Sequence, residues 1–337
     1  MSPNVLITAA SRRVPLVQAF QRALRQYGTG RVIVTDVNPL SPAVHAADAA
    51  FRVSLASEPD YIHEILAIAV AERVNLVVPT IDDELPIFSA AVPLFNAAGI
   101  RVAVSPLSTT QLCNDKYATC RALDEKGIAA ARSFLPDTLA GVGATFPLFI
   151  KPRRGRGGVG AFPIRDQREL EFFLDYVEEP LLQDYLEGPE FTIDMLCDFA
   201  GRPLAIVPRE RVVIRAGVID RGRTVRNPVL IALAEACARA IPCAGAVNIQ
   251  CRIVDGRPVV FEINPRFSGG IPLTIEAGAD FPAMLVRLAA GQRVAPAIGR
   301  FRDDLWMTNY ETSVFLDGGR VALERYEDRA SIVGEVA

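Results

Sequence analysis

Histidine is nearly absent. The chain of 337 residues has two, His45 and His63, both in its first fifth. Neither is near a nucleophile motif, so neither a Ser-His-Asp or Cys-His hydrolase nor a histidine-rich zinc site is expected. The six cysteines, Cys113, Cys120, Cys197, Cys237, Cys243 and Cys251, form no C-x-x-C pair and mostly sit in apolar surroundings. Buried free thiols are expected, not disulfides. No apolar run approaches the roughly 18 residues of a spanning helix. The chain opens directly on the strand-like NVLIT, without the basic region and apolar core of a signal peptide. The net charge of −3 (36 basic against 39 acidic residues) gives no basic footprint for nucleic acid or anionic membrane. A cytoplasmic protein with no nucleic-acid and no membrane partner is expected. Repeats and low-complexity segments are also missing. What is present is apolar: half the residues, with 22% charged. That suffices for real cores, in roughly two or three domains.

The first hundred residues alternate strand and helix. VLIT (5–8), RVIVTD (31–36), NLVVPT (75–80) and IRVAVS (100–105) read as strands. Residues 14–28, 61–74 and 85–99 have helical spacing, the last despite Pro93. This pattern predicts a parallel doubly wound sheet, with ligands beyond the carboxyl ends of its strands. Two such ends are polar. TAASRR (8–13) lacks a G-x-G-x-x-G fingerprint; Ser11, Arg12 and Arg13 read as a helix cap with solvated arginines or as an anion-binding turn. In TIDDE (80–84), Asp82, Asp83 and Glu84 read as favourable charge at a helix start or as a grip on a substrate ammonium group.

A boundary falls at SPLST (105–109), and the rest reads as α+β. The strand FPLFIKP (146–152) carries Lys151 and runs into RRGRGGVG (153–160), whose glycines let backbone amides approach phosphate oxygens. Walker A would need G-K-[ST], which is absent. Residues 191–213 and 246–266 read as two hairpins, the second turning at Asp255-Gly256. In FEINPR, Glu262 and Asn264 leave one face of a strand. A regular register puts Gln250 opposite Phe261; a one-residue bulge puts it beside Glu262. Such oxygen-bearing side chains in an apolar strand suit Mg²⁺ when phosphates supply further ligands, or else form a solvated face.

NDKYATCRALDEKGI, FIKPRRGRGGVG, LLQDYLEGPEFTIDML and NIQ…VVFEINPRFSGG, in that order, resemble the ATP-grasp superfamily, in its carbamoyl-phosphate-synthetase large-subunit-like and pyrrolysine-biosynthesis-ligase-like branch. The resemblance covers roughly residues 1–290. It implies a pre-ATP-grasp α/β domain (1–107), a small lobe with a glycine lid (108–182), a large lobe with the Mg·ATP site (183–293) and a C-terminal extension (294–337). By the same resemblance Lys116 and Lys151 contact ATP phosphates, and Gly155, Gly157, Gly158 and Gly160 cover them. Gln183, Asp184, Tyr185 and Leu186 hold adenine, and Glu190 bonds the ribose. Gln250, Glu262 and Asn264 ligate one or two Mg²⁺, and Arg266 steadies the transferring phosphoryl group. Gln183 departs from the Glu of many relatives.

The implied activity is an ATP-dependent carboxylate–amine ligase working through an acyl phosphate, which needs no side-chain nucleophile. Two alternatives are phosphorylation of a small acid such as bicarbonate or carbamate, and a nucleotide-binding module without catalysis. The expected partners are a small carboxylate and an amine. Arg209, Ser268 and Gly269, with Asp82 and Glu84, are candidate contacts to an amino acid or similar zwitterion. The apolar N-terminal domain is compatible with a homodimer.

Overall fold

The computed structural model describes residues 3–141, 145–155, 158–215 and 217–316. They divide into two compact units. One holds Met1–Ser105, Asp280–Ala295 and the residues from Tyr310; the other holds Pro106–Ala279 and Pro296–Asn309.

In the first unit β1 (Asn4–Thr8), α1 (Val14–Tyr27), β2 (Val32–Asp36), α2 (Pro42–Ala46), β3 (Ala49–Arg52), α3 (Tyr61–Ala71), β4 (Val74–Val78), α4 (Leu85–Ala97) and β5 (Arg101–Val102) follow one another. The sheet is all parallel in the order β3-β2-β1-β4-β5, so the chain winds outward both ways from β1. This is the doubly wound sheet that the alternation predicts. β3, sequence AAFR, escapes a reading by apolar runs because one large apolar side chain in four residues is no run. Pro93 lies inside α4 without ending it. α1 buries Leu16, Val17, Phe20 and Leu24 on one stripe. It packs against the helix Phe281–Ala289, which belongs to this unit although it lies nearly two hundred residues downstream of β5.

The second unit opens with α5 (Leu107–Asn114) and α6 (Lys116–Asp124), then β6 (Ser133–Phe134), β7 (Leu148–Pro152), β8 (Phe162–Ile164), α7 (Gln167–Tyr176) and β9 (Pro180–Asp184). Its four short strands pair antiparallel in the order β6-β9-β7-β8. β10 (Glu190–Cys197), β11 (Pro203–Arg215), β12 (Val218–Thr224), α8 (Pro228–Ala240), β13 (Gly245–Val254), β14 (Arg257–Asn264), α9 (Ile271–Glu276) and β15 (Trp306–Thr308) complete it. Here the sheet order is β14-β13-β10-β11-β12-β15.

Period-two alternation sorts this larger sheet into two faces. Phe191, Ile193, Met195 and Cys197 of β10 lie on one, with Val247, Ile249 and Cys251 of β13 and Ile206 and Ile263 beside them. They form one core with α8 side chains Leu230, Ala234 and Cys237. Each such side chain stabilises the fold by about 1.5–3 kcal/mol relative to exposure. The opposite face is polar and carries the candidate site. All six cysteines are buried and free. Among the described residues no helix is long and apolar enough to cross a membrane.

Candidate active site

The site starts at the amino end of α6. Asp115 is its N-cap, accepting the Ala118 amide at 3.0 Å. The same carboxylate takes Arg153 in a fork, Nε at 2.9 Å and Nη2 at 2.6 Å. Burial would push the Asp115 carboxyl up, but these donors and the arginine charge outweigh it and hold it low. The Lys116 amide also donates to the Arg153 carbonyl at 3.1 Å. NDK and KPR are thus zipped together, which points Lys116 Nζ at the Gly155 carbonyl, 2.7 Å away. Gly155 has φ +108, a conformation that favours glycine. Lys151, on β7, is buried, and its Nζ donates to the Phe261 carbonyl at 3.3 Å. Burial pushes this ammonium below its ordinary pKa, with Glu262 pulling the other way.

The hairpin β13–β14 takes the bulged alternative. Cys251 pairs with Val260, but Gln250 pairs with Glu262 and Asn248 with Asn264, leaving Phe261 as the extra residue. The bulge frees the Phe261 carbonyl for Lys151 and brings Gln250 level with Glu262. Thr192 pairs with Gln250 and Arg209, and Asp194 with Asn248, so all of these share the polar face. Glu190 belongs to it too, held between Arg211 at 3.1 Å and Arg252 at 2.6 Å.

Three oxygens on this face meet cations of the chain itself. Gln250 Oε1 accepts Arg211 Nη1 at 3.2 Å, and Asn264 Oδ1 accepts Arg266 Nη2 at 3.3 Å. Glu262 Oε1 has Lys116 Nζ at 3.7 Å, and among the described residues none donates a hydrogen bond to it. One carboxylate with two amide oxygens is a donor set that fits a hard divalent cation whose shell is completed by phosphate and water. It is not a metal-only cage: among the described residues, three or more His, Cys, Asp or Glu never gather for one.

The adenine segment ends the small sheet. The Gln183 amide is spent on Ser133 Oγ at 2.9 Å and Cys120 Sγ at 3.4 Å, while Tyr185 is exposed. Asp184 follows in β9, its carboxyl raised by burial against the pull of Arg132, and Leu186 is half-buried. Gly158 and Gly160 are described, both with positive φ; Gly157 lies outside the described residues.

Two substrate expectations need correction. Glu84 is fully buried and cannot meet a ligand. Oε1 accepts the Thr8 hydroxyl at 2.8 Å and the Thr80 amide at 2.9 Å, and Oε2 accepts the Tyr61 hydroxyl at 2.6 Å. It ties β1, α3 and the end of β4 together. Asp82, in the same short turn, is buried but for 9% of its surface. Arg209 is neither solvated nor open to a substrate carboxylate. It is 1% exposed, its Nε on Asp194 at 2.7 Å and its Nη2 on Ser268 Oγ at 2.9 Å. Arg209 therefore positions Ser268, and a Cβ on Gly270 would collide with its Nη1. Gly269 is exposed. In the other polar turn, the Asp36 carboxylate already accepts the Ser11 amide at 2.8 Å, and Arg13 donates to the Thr80 carbonyl at 2.9 Å.

The sequence reading overlooked Asp115 and Arg153, which aim Lys116, and Asn248, whose Nδ2 donates to the Asn264 and Arg266 carbonyls at 3.3 and 3.1 Å. It also overlooked Arg211 and Arg252. The alternation of EFTID, VPRER and NIQCR, polar at every second residue, was the available signal.

A six-stranded sheet with such a face, beside a small lobe bearing two inward lysines, is an ATP-grasp architecture, and the chain carries an ATP-grasp domain. Residues 177–313 match the model described as ATP-grasp in the biosynthetic pathway with Ter operon, and residues 5–103 match the PylC-like N-terminal domain. The carbamoyl phosphate synthase arginine-specific large chain of Bacillus subtilis is 26% identical over 271 residues, 74% of this chain and 26% of that protein. The chain thus spans about a quarter of this curated relative. The biotin carboxylase domain dimer of Hydrogenobacter thermophilus 2-oxoglutarate carboxylase, in complex with MgADP, ADP and bicarbonate, has TM-score 0.69 at 18% identity, covering 90% of this chain and 73% of that one. The L-amino acid ligase of Bacillus licheniformis has TM-score 0.69 at 18% identity, covering 89% and 77%. At these identities the likeness shows the fold.

Proposed function

We propose that the protein is an ATP-dependent ligase that joins a small carboxylate to an amine through an acyl phosphate. The observation that carries this reading is the convergence of Gln250, Glu262 and Asn264 oxygens with Lys116 on one polar face, each oxygen facing a cation of the chain. In this proposal Lys116 and Lys151 bind nucleotide phosphates, Glu190 the ribose, and the backbone of 184–186 the adenine. Gln250, Glu262 and Asn264 hold Mg²⁺, which when bound neutralises phosphoryl charge. The substrate carboxylate attacks the γ-phosphorus and ADP leaves; the amine then attacks the acyl carbon and phosphate leaves. Arg266 is a fixed positive charge beside the transferring group, and the lysines lower the barrier by charge already in place. The site offers no neutral base of its own, so the amine enters unprotonated.

An amino acid or similar zwitterion is the proposed substrate class, supported by the structural likeness to the L-amino acid ligase. The test is a screen of acids and amines for ADP release, with mass detection of product. An amide is expected; ADP release with a phosphorylated acid and no amide overturns it. That second outcome is the alternative which the name of the Bacillus subtilis relative favours, phosphorylation of bicarbonate or carbamate. A homodimer in the cytoplasm belongs to the same proposal, checked by light scattering on the purified chain.

A further inference from the structure

Arg211 is a buried cation that the ligase reading leaves without a task. Its side chain is 6% exposed, and burial pushes its pKa down with Glu190 opposing. It spans three partners: Glu190 Oε1 at 3.1 Å, Gln250 Oε1 at 3.2 Å and the Gly217 carbonyl at 2.8 Å. Its Nε is buried with no hydrogen-bond partner. An arginine serving only the fold would be expected to satisfy that donor, since an orphaned buried N–H is costly. The contrast is with Arg252, which shares Glu190 but stays 31% exposed and also holds the Gly188 carbonyl. Arg211 instead reaches inward, to the amide oxygen that the ligase reading gives to the metal. One oxygen cannot keep a short guanidinium bond at full strength and also serve a divalent cation, because the two positive charges repel across it.

We propose that Arg211 is a positioning residue that acts as the counter-cation of the unloaded site: it holds Gln250 Oε1 and Glu190 in place, and gives up Gln250 when the metal–nucleotide pair binds. The inference rests on the ligase reading for the identity of that pair. In the empty face Arg211 keeps two oxygen-bearing groups from facing each other without a cation. On loading it keeps Glu190 and the Gly217 carbonyl, so the strand β11 stays anchored while Gln250 is released. The magnesium requirement is thereby set higher than the bare ligand set would give.

The test uses the full chain as wild type, Arg211→Met and Arg211→Lys. Binding of a non-hydrolysable ATP analogue is followed by calorimetry across a magnesium titration, with thermal unfolding as a check on folding. In Arg211→Met the magnesium concentration for half-maximal binding is expected to fall about tenfold, the size of one charge-assisted hydrogen bond. Arg211→Lys, which keeps the charge without the fork, should shift it less. An unchanged or raised midpoint in folded Arg211→Met overturns the inference. Should that variant not fold, crystals of the wild type with Mg²⁺ and the analogue decide. Arg211 Nη1 is expected beyond 3.5 Å from Gln250 Oε1 there, outside hydrogen-bond range; an intact bond overturns the inference. A wild type that binds no nucleotide overturns the ligase reading as well, whereas binding without the shift in Arg211→Met removes only this inference.

Discussion

Glu84 and Glu262 are both acidic side chains set among apolar neighbours, and the fold treats them in opposite ways. Glu84 lies in the N-terminal unit with both oxygens occupied by Thr8, Tyr61 and the Thr80 amide, and burial raises its pKa. Glu262 lies on β14, 18% exposed, with Lys116 at 3.7 Å and no described donor in hydrogen-bond range. Low dielectric makes an unsatisfied polar group costly, so a protein that leaves one such carboxylate open while saturating another is reserving it for something outside the chain. The same contrast separates Arg209, whose charge is answered by Asp194, from Arg211, whose Nε is not answered at all.

The contrast is sharpened most by Glu262→Gln. If this carboxylate serves a ligand, ADP release should fall about a thousandfold, while the unfolding midpoint in urea stays near that of the wild type. A stability loss with turnover kept would erase the distinction. Glu84→Ala should do the reverse. Three or more buried donors lose their acceptor, and urea unfolding should report a loss of about 3 kcal/mol with nucleotide binding unchanged. Asn248→Ala removes the side chain that holds the carbonyls beside Asn264. Magnesium affinity, read by calorimetry with a nucleotide analogue, should weaken about tenfold.

The smallest effect is in pH dependence. Glu84 has a folded pKa above its ordinary 4.5. The native state therefore binds its proton more tightly than the unfolded chain. Its contribution to stability is fully present below 4.5 and is lost as pH rises through the raised value. Wild type minus Glu84→Gln, compared by urea unfolding, should slope downward with pH across that window. A flat or rising difference would mean that Glu84 stays ionised inside its hydrogen-bond cage.

Much of this architecture was legible in order and period. The parallel N-terminal sheet followed from strands separated by amphipathic helices, and the cysteines from their apolar neighbours. Lys116, Lys151, Glu262 and Asn264 could be named because they stand in short motifs. Asp115, Arg153 and Asn248 could not, because their work is done on residues tens of positions away or across a strand. Glu84 and Arg209 were misread for a related reason. A charge in a sequence has no visible partner, and a buried acid with its own donors looks the same as one waiting for a substrate.

By itself the sequence determined where strands and helices run, which face of β10, β13 and β14 is apolar, and which side chains carry chemistry, since local periodicity and residue type suffice for that. Tertiary structure alone decided the rest. The bulge at Phe261 fixed which residues stand opposite each other, and the pairing of distant strands fixed which charges are answered from within. Both depend on contacts between segments far apart in the chain, whose geometry no local pattern encodes.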